Sequence, residues 1–324
     1  MKKLLFLTII AVLLTACLPQ TRVADIPHER YTEVVKTVAV QLTKNALLTP
    51  SVTPTETPEP TPTITNTPEP TATVPSPTPT WAYHDKGEIT APILVYYNIA
   101  GSTADNPGYD PAAQNNVAPD LFRQHISALR QTGYETISMT RLINAILFGA
   151  ELPEHPIVIT FDANSEGIYT QAFPIMKEFG FVGNLFLTAN QINQEGMLTV
   201  DEIKELMDAG WVVGSRGMNG YDLTSDYNLL SDEVAGSKAA LEEKLDTTIT
   251  LFAYPFGRAD DIIFPRVAAW GYEAAVGLSW YRTSKHSDQT IFYLSRYEVL
   301  NGETIEQVFT DLPWQPMSLP TMIP

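Results

Sequence analysis

The sequence predicts an α/β fold: a distorted parallel (β/α) barrel with seven or eight strands, preceded by a disordered Pro/Thr-rich spacer. From residue 91 onward, short apolar segments alternate with segments of helical periodicity, which is typical of sequential βα units and a parallel sheet. The glycine-rich phosphate loop of many open doubly wound sheets is absent, and this number of strands favours closure into a barrel. Before residue 81, proline and threonine dominate the composition.

The N-terminus resembles a bacterial lipoprotein signal. Two lysines precede an apolar run at 4–14, which is short for a membrane span, and Cys17 follows shortly after it. We therefore predict a signal peptide at 1–16 and a lipidated N-terminal segment at 17–48. Because Cys17 is the only cysteine, its lipidation would leave no thiol for a disulfide or a metal. The alternative is an ordinary cleaved signal peptide with a free or buried cysteine.

A low-complexity linker is predicted at 49–80, where almost every residue is Pro, Thr, Glu or Ser. Such a segment cannot bury enough apolar surface to fold, and it favours extended geometry. Together with a lipid on Cys17, it would hold a folded domain at 81–324 away from the bilayer. We therefore expect an exported protein that is lipid-anchored to the cell membrane and faces outward.

The charge balance narrows the set of partners. The chain has 37 acidic and 20 basic residues, which gives a formal net charge of −17. Such a chain repels polyanions, so nucleic acid is not an expected partner. For the same reason, the predicted membrane attachment depends on acyl chains and not on a basic surface.

The elements of the predicted barrel follow one another in a regular order. The strands are predicted at 93–97, 136–139, 157–161, 184–188, 211–215, 249–254, 274–276 and 293–299. The helices are predicted at 121–131, 169–179, 200–208, 232–245 and 260–270. Each strand is a short apolar run, and each helix has apolar residues on one face, as Phe122, Ile126 and Leu129 show for the first. A barrel of this type carries its site at the carboxyl ends of the strands, where we expect Asp162, Ser215, Arg216 and Pro255.

Three of these strand ends carry recognisable motifs. Thr160-Phe161-Asp162-Ala163 ends one strand, the segment 214–220 follows another, and Phe252-Ala253-Tyr254-Pro255-Phe256-Gly257 ends a third. In this order and spacing they resemble the polysaccharide deacetylase family, which has the chitooligosaccharide deacetylase (NodB) homology domain and is also called carbohydrate esterase family 4. The resemblance extends over most of residues 91–312 and includes Leu294 and Arg296 in the last strand.

The resemblance implies a metal-dependent hydrolase that removes acetyl groups from N-acetylated sugars. In the family, a divalent ion, usually zinc, is held by the second Asp of the first motif and by two His of the second, while the first Asp is the general base. By this correspondence Asp162 is the base, and the ligand positions hold Ala163, Arg216 and Gly220. None of these three side chains can ligate a cation, so we predict no cofactor.

We expect Arg216 to pair with Asp162 in place of the metal, and a pocket formed by Tyr97, Ser215, Arg216, Tyr254, Pro255 and Phe256. The aromatic residues Tyr97, Tyr221, Tyr254, Phe256, Trp280 and Tyr281 could stack on sugar rings. Alternatively, Tyr254 and Phe256 pack the rim of the barrel, and Arg216 points to solvent.

The predicted function is therefore binding of an N-acetylated cell-wall or exopolysaccharide glycan, such as peptidoglycan or a chitin-like chain, without the usual metal-dependent deacetylation. Two alternatives remain open. One is an active divergent deacetylase, a hydrolase of non-peptide C–N bonds, that uses Asp162 alone as base or a metal re-sited on His286, Asp222 or Asn164. The other is a scaffold that binds a protein.

Overall fold

The computed structural model describes residues 81–102, 110–278 and 283–314; the predicted signal peptide, Cys17 and the Pro/Thr-rich linker lie outside these ranges. The strands are β1 Trp81–His84, β2 Ile89–Thr90, β3 Ile93–Tyr96, β4 Asn98–Ile99, β5 Asn116–Val117, β6 Tyr134–Thr136, β7 Ala150–Pro153, β8 His155–Phe161, β9 Asn184–Leu187, β10 Val212–Ser215, β11 Leu251–Ala253, β12 Ala274–Leu278, β13 Lys285–His286 and β14 Leu294–Glu298. The helices are α1 Pro119–Gln131, α2 Met139–Phe148, α3 Phe173–Glu178, α4 Val200–Asp208, α5 Ser237–Leu245, α6 Ile263–Ala269 and α7 Ile305–Thr310.

Seven parallel strands close into a barrel, which confirms the predicted fold class. Their order is β3-β14-β12-β11-β10-β9-β8, and β8 pairs back onto β3 through Val95↔Thr160 and Tyr96↔Phe161. β6 is an eighth strand of this sheet that pairs only with the first residues of β8. The carboxyl ends of all seven barrel strands therefore open at one mouth.

Burial on both faces explains the apolar sequence of these strands. Every residue of β3 and β9 is buried, and so is every residue of β8 except the first. One face of each strand lies inside the barrel and the other lies under helices. Within the described ranges, no helix is long and apolar enough to cross a membrane.

The structure differs from the sequence prediction at 136–139. Strand β6 ends at Thr136, and Ser138 caps α2 by accepting a hydrogen bond from the backbone of Arg141. The apolar run therefore divides between a strand and the first turn of a helix that we did not predict. Two antiparallel pairs, β1 with β7 and β2 with β13, also lie outside the regular βα pattern. β2 precedes β3 directly, so the β2–β13 pair lies at the end of the barrel opposite the mouth.

Candidate ligand-binding site at the barrel mouth

Asp162 lies at the mouth, directly after β8. Its backbone N–H donates to the carbonyl of Tyr96 in the neighbouring strand, which extends the β3–β8 ladder by one residue. Side chains two apart along a strand share a face, so Asp162 points into the barrel as Thr160 does. The Thr160 hydroxyl donates to the carbonyl of Leu94. Asp162 is therefore a buried carboxylate in the interior of the barrel, with only 5% of its surface exposed.

Arg296 on β14 is the main partner of Asp162. Its Nη1 donates to Oδ1 at 2.6 Å and its Nη2 donates to Oδ2 at 2.7 Å, so the pair is bidentate. Nη1 also contacts the Thr160 hydroxyl at 3.2 Å, and Nε contacts the carbonyl of Gly277 at 3.3 Å. Burial by itself would lower the pKa of Arg296, but the charge and hydrogen bonds of Asp162 outweigh it and raise this pKa. Both oxygens of Asp162 thus accept from a guanidinium that stays protonated.

Arg216, the predicted partner, is only a secondary neighbour of Asp162. It follows β10, and its Nε lies 3.7 Å from Oδ2 of Asp162, which is within ion-pair range but too far for a hydrogen bond. This Nε is buried and has no hydrogen-bond partner, and the guanidinium donates to no other described residue. The expected pairing of Arg216 with Asp162 is therefore present as an ion pair, but the hydrogen bonds to both carboxylate oxygens come from Arg296, which the sequence did not indicate.

Glu233 organises the loop that follows Arg216. Its buried carboxylate accepts hydrogen bonds from the backbone N–H groups of Asn219 and Gly220 at 3.0 to 3.1 Å and from the side-chain amide of Asn219 at 2.9 Å. Gly217 has a φ of +99°, and a Cβ there would lie 2.4 Å from Oε2 of Glu233. Only glycine leaves room for this carboxylate, so an internal side chain fixes the loop that in the family would hold two metal ligands.

The residues at the mouth do not fit a divalent metal. The side chains of Ala163 and Gly220 offer no donor atom, and the guanidinium of Arg216 carries a positive charge at the third position. Asp162, the carboxylate of the first motif, has both oxygens bonded to Arg296. Among the described residues, no group of three His, Cys, Asp or Glu side chains is arranged to hold an ion.

The three alternative ligands that the sequence suggested are engaged elsewhere. His286 belongs to β13 at the far end of the barrel, where its Nε2 contacts the carbonyl of Ala91 and burial lowers its pKa to about 4. Asn164 bonds through its side-chain amide to both backbone groups of Thr188. The carboxylate of Asp222 accepts from Thr224 and from Arg258. A metal re-sited on this set is incompatible with the positions of these residues.

Some predicted pocket residues are parts of the core. Tyr254 is fully buried, and its hydroxyl donates to the carbonyl of Phe292. Ser215 is buried as well, and its hydroxyl contacts that of Ser237 on α5 at 2.7 Å, so it faces a helix and not the mouth. Pro255 is also buried. The prediction of these three as pocket-lining residues was wrong, because their side chains pack inside the protein.

Tyr97 lies nearer to the site. It is partly buried, its hydroxyl donates to Glu298 at 2.7 Å, and burial together with the nearby negative charge of Asp162 raises its pKa. The Tyr97–Glu298 pair is therefore a neutral donor bonded to a carboxylate, at the carboxyl ends of the neighbouring strands β3 and β14.

Two exposed aromatic residues lie on neighbouring loops at the rim. Tyr221, after β10, is 53% exposed, and Phe256, after β11, is 58% exposed. The two loops are connected by an ion pair between Arg258 and Asp222 at 2.8 Å. Phe256 has a φ of +58°, a left-handed conformation that is costly for a bulky residue. Trp280 and Tyr281, also expected at the mouth, lie outside the described residues.

Arg296 and Glu233 are the functional-site residues whose roles the sequence did not predict. Arg296 belongs to a strand that matched the family motif, but no pattern indicated its partner. A signal was available: Leu294 and Arg296 are two residues apart and share a face, so the charge lies inside a barrel of apolar strands and needs a buried carboxylate.

Comparisons with known proteins show which family the chain resembles. The family model described as polysaccharide deacetylase matches residues 149–275, which include the strands that carry Asp162 and Arg216. Together with the seven-stranded barrel, this match shows that the folded domain is similar to the polysaccharide deacetylases.

Individual relatives are distant. YxkH of Bacillus subtilis (strain 168), whose name assigns it provisionally to the polysaccharide deacetylases, is 23% identical over 212 residues, which are 65% of this chain and 72% of the relative. The poly-β-1,6-N-acetyl-D-glucosamine N-deacetylase of Escherichia coli (strain K12) is 34% identical over 64 residues, 20% of this chain and 10% of that protein. The structure of the Streptococcus pyogenes deacetylase PplD in complex with acetate superposes with a TM-score of 0.60 at 23% identity, covering 74% of this chain and all of that one.

Proposed function

We propose that this protein binds an N-acetylated glycan at the barrel mouth and does not carry out metal-dependent deacetylation. The observation that carries the proposal is the bidentate bond between Arg296 and both oxygens of Asp162. A general base must accept a proton from water, and a carboxylate whose oxygens both accept from a guanidinium is poorly placed to do so.

The chemistry at the ligand positions supports the same conclusion. In metal-dependent deacetylation the ion polarises the acetyl carbonyl and activates water. Ala163 and Gly220 contribute no donor for such an ion, and Arg216 repels it. The site retains hydrogen-bond donors and aromatic surface, which suffice for binding.

The rim supports a glycan as the ligand. Tyr221 and Phe256 expose their rings on two loops that Asp222 and Arg258 connect, and aromatic faces are suited to sugar rings. Holding Phe256 in a left-handed conformation costs free energy, and such strain at an exposed aromatic side chain favours a role in binding. Peptidoglycan, a chitin-like chain and an exopolysaccharide all present N-acetylated rings.

We further propose that the chain is exported and anchored to the membrane through a lipid on Cys17, with residues 49–80 as spacer. Mass spectrometry of the N-terminal peptide from native membranes tests this. A diacylglyceryl group on Cys17, lost together with membrane association in Cys17→Ser, is expected. An unmodified Cys17 in a soluble fraction would contradict the anchor.

The binding proposal is tested with the purified protein and chitotetraose or peptidoglycan fragments. Calorimetry is expected to detect glycan binding, while acetate release stays at background with added zinc, cobalt or nickel. Tight stoichiometric metal together with acetate release would contradict the proposal. Acetate release that disappears in Asp162→Asn would instead support the divergent hydrolase, and the absence of any glycan binding would leave the protein scaffold.

A further inference from the structure

We infer that Arg216 recognises a carboxylate, and that the ligand of the mouth is therefore an acidic N-acetylated glycan. The inference rests on the proposed glycan binding and adds the chemical class of the ligand. It follows from the hydrogen bonds that Arg216 lacks, from the neighbouring hydroxyl of Thr188 and from the distribution of charge around them.

Arg216 has donors without acceptors. Its Nε is buried and unbonded, and the guanidinium donates to no described residue, although it lies 3.7 Å from Asp162. Leaving a buried donor unsatisfied is unfavourable, more so for a charged group. An incoming acceptor would therefore gain a hydrogen bond without displacing an existing one.

A second donor lies beside the guanidinium. A Cβ built on Gly220 would lie 3.3 Å from Nη1 of Arg216 and 3.5 Å from the hydroxyl oxygen of Thr188, so both groups border the same point. Gly220 leaves this point free of a side chain. The Thr188 hydroxyl, like the guanidinium, has no hydrogen bond to a described residue, whereas the backbone of Thr188 is bonded to Asn164.

The charges favour an anion at this point. Asp162 is already neutralised by Arg296. Two further carboxylates have other partners: Glu233 accepts from the loop N–H groups of Asn219 and Gly220, and Glu298 accepts from Tyr97. Neither forms an ion pair with Arg216 among the described residues. Asp162 is the described carboxylate within ion-pair range of Arg216, at 3.7 Å, and both its oxygens already accept from Arg296, so the charge of Arg216 is only partly compensated. A planar guanidinium matches a carboxylate in two-pronged geometry, which a neutral acetamide oxygen cannot reproduce.

The net charge of the chain opposes an acidic ligand, so any attraction must come from the immediate surroundings of Arg216. With a formal charge of −17, the protein as a whole repels an acidic polymer. Affinity for a carboxylate that depends on one arginine therefore cannot come from non-specific attraction.

A matched pair of ligands tests the inference with the unaltered protein. The probes are a tetrasaccharide of alternating N-acetylglucosamine and N-acetylmuramic acid, and the same tetrasaccharide with its carboxyl groups converted to methyl esters. Calorimetry is expected to give a Kd about tenfold to a hundredfold lower for the free acid, the range of a hydrogen-bonded charge. Arg216→Gln is expected to abolish this preference, and Arg216→Lys to retain only part of it.

The control variant is Arg130→Gln, which removes one arginine charge at the opposite end of the barrel, where Arg130 pairs with Glu135 of β6. It is expected to keep the full preference, and thermal unfolding confirms that each variant is folded. Equal affinity for the acid and the ester would overturn the carboxylate inference while leaving glycan binding intact. Failure of both probes and of chitotetraose to bind would overturn the proposed function as well.

Discussion

Two arginines flank Asp162, and they differ in almost every physical respect. Arg296 is 1% exposed and makes four hydrogen bonds, two of them to the carboxylate. The side chain of Arg216 is 18% exposed and makes none to the described residues. A buried charge is tolerated only when it is paired, so Arg296 belongs to the architecture of the barrel. Arg216 retains donors and partial access to solvent, so it is available to the ligand that we propose.

This difference shows how a carboxylate at the mouth can be balanced by charges within the protein. The barrel keeps the first Asp of the family motif, and a residue of the last strand neutralises it. The loop that follows Arg216 is held by Glu233, which bonds to the backbone of Asn219 and Gly220. Both the carboxylate and the loop at the mouth thus have partners within the protein.

The largest expected effect is the loss of Arg296. Arg296→Met leaves Asp162 buried without its bidentate partner, and we expect the free energy of unfolding to fall by about 3–5 kcal/mol. Urea denaturation measures this change. The double variant Asp162→Leu/Arg296→Met is expected to recover much of the loss, because no charge remains buried. A fall below about 1 kcal/mol for the single variant, as for a surface pair, would contradict the architectural role of Arg296.

The second expected effect concerns the loop beside Arg216. Glu233→Gln keeps the shape of the side chain but removes the negative charge of the carboxylate that accepts hydrogen bonds from the loop N–H groups. We expect a destabilisation of roughly 2–3 kcal/mol and faster hydrogen exchange at Asn219 and Gly220. Glu154→Gln, at an exposed position, is the matched control and is expected to change stability by less than about 0.5 kcal/mol. Unchanged exchange at the two amides would show that Glu233 does not fix this loop.

Arg216→Gln distinguishes the two arginines most sharply. Because Arg216 donates no hydrogen bond to a described residue and is partly exposed, we expect the free energy of unfolding to change by less than about 1 kcal/mol, while the preference for a carboxylate ligand disappears. Denaturation and calorimetry on the same preparation measure both quantities. Should the stability fall as far as in Arg296→Met, the division of roles between the two arginines would be wrong.

The smallest effect is expected at the rim. Phe256→Asn places a residue that tolerates positive φ at a position with a φ of +58°, so stability should stay constant or rise by up to about 1 kcal/mol. Glycan affinity should fall roughly twofold to tenfold with the loss of the ring. Phe148→Asn removes another exposed ring, at the end of α2, and should leave affinity unchanged. Equal loss in both variants would remove Phe256 from the binding surface.

Much of the fold could be predicted from the sequence, because strands buried on both faces appear as continuous apolar runs. The prediction for α4 was correct to the residue: Thr199 and Glu202 form a capping box that marks its start. Helix α2 was missed because its first residues continue an apolar run that begins in β6. The barrel closure followed from the number of strands, whereas the antiparallel pairs of single short strands have no periodic signal.

The site was less predictable, because its contacts join residues far apart in the chain. Asp162 and its position at the mouth followed from the strand order. The choice between Arg216 and Arg296 as its partner depends on which side chain reaches across the barrel, and 134 residues separate Arg296 from Asp162. Phe256 could be placed at a strand end, but its exposure and the burial of Tyr254 depend on backbone angles that only the structure gives.

A crystal structure of the protein soaked with zinc and a muramic acid-containing tetrasaccharide tests the central claim most directly. The structure predicts an intact bidentate Arg296–Asp162 pair, no anomalous zinc signal at the mouth, and a sugar carboxylate on Arg216. A zinc ion bound to Asp162, with Arg296 displaced from its two oxygens, would contradict the claim that an internal arginine has replaced the metal.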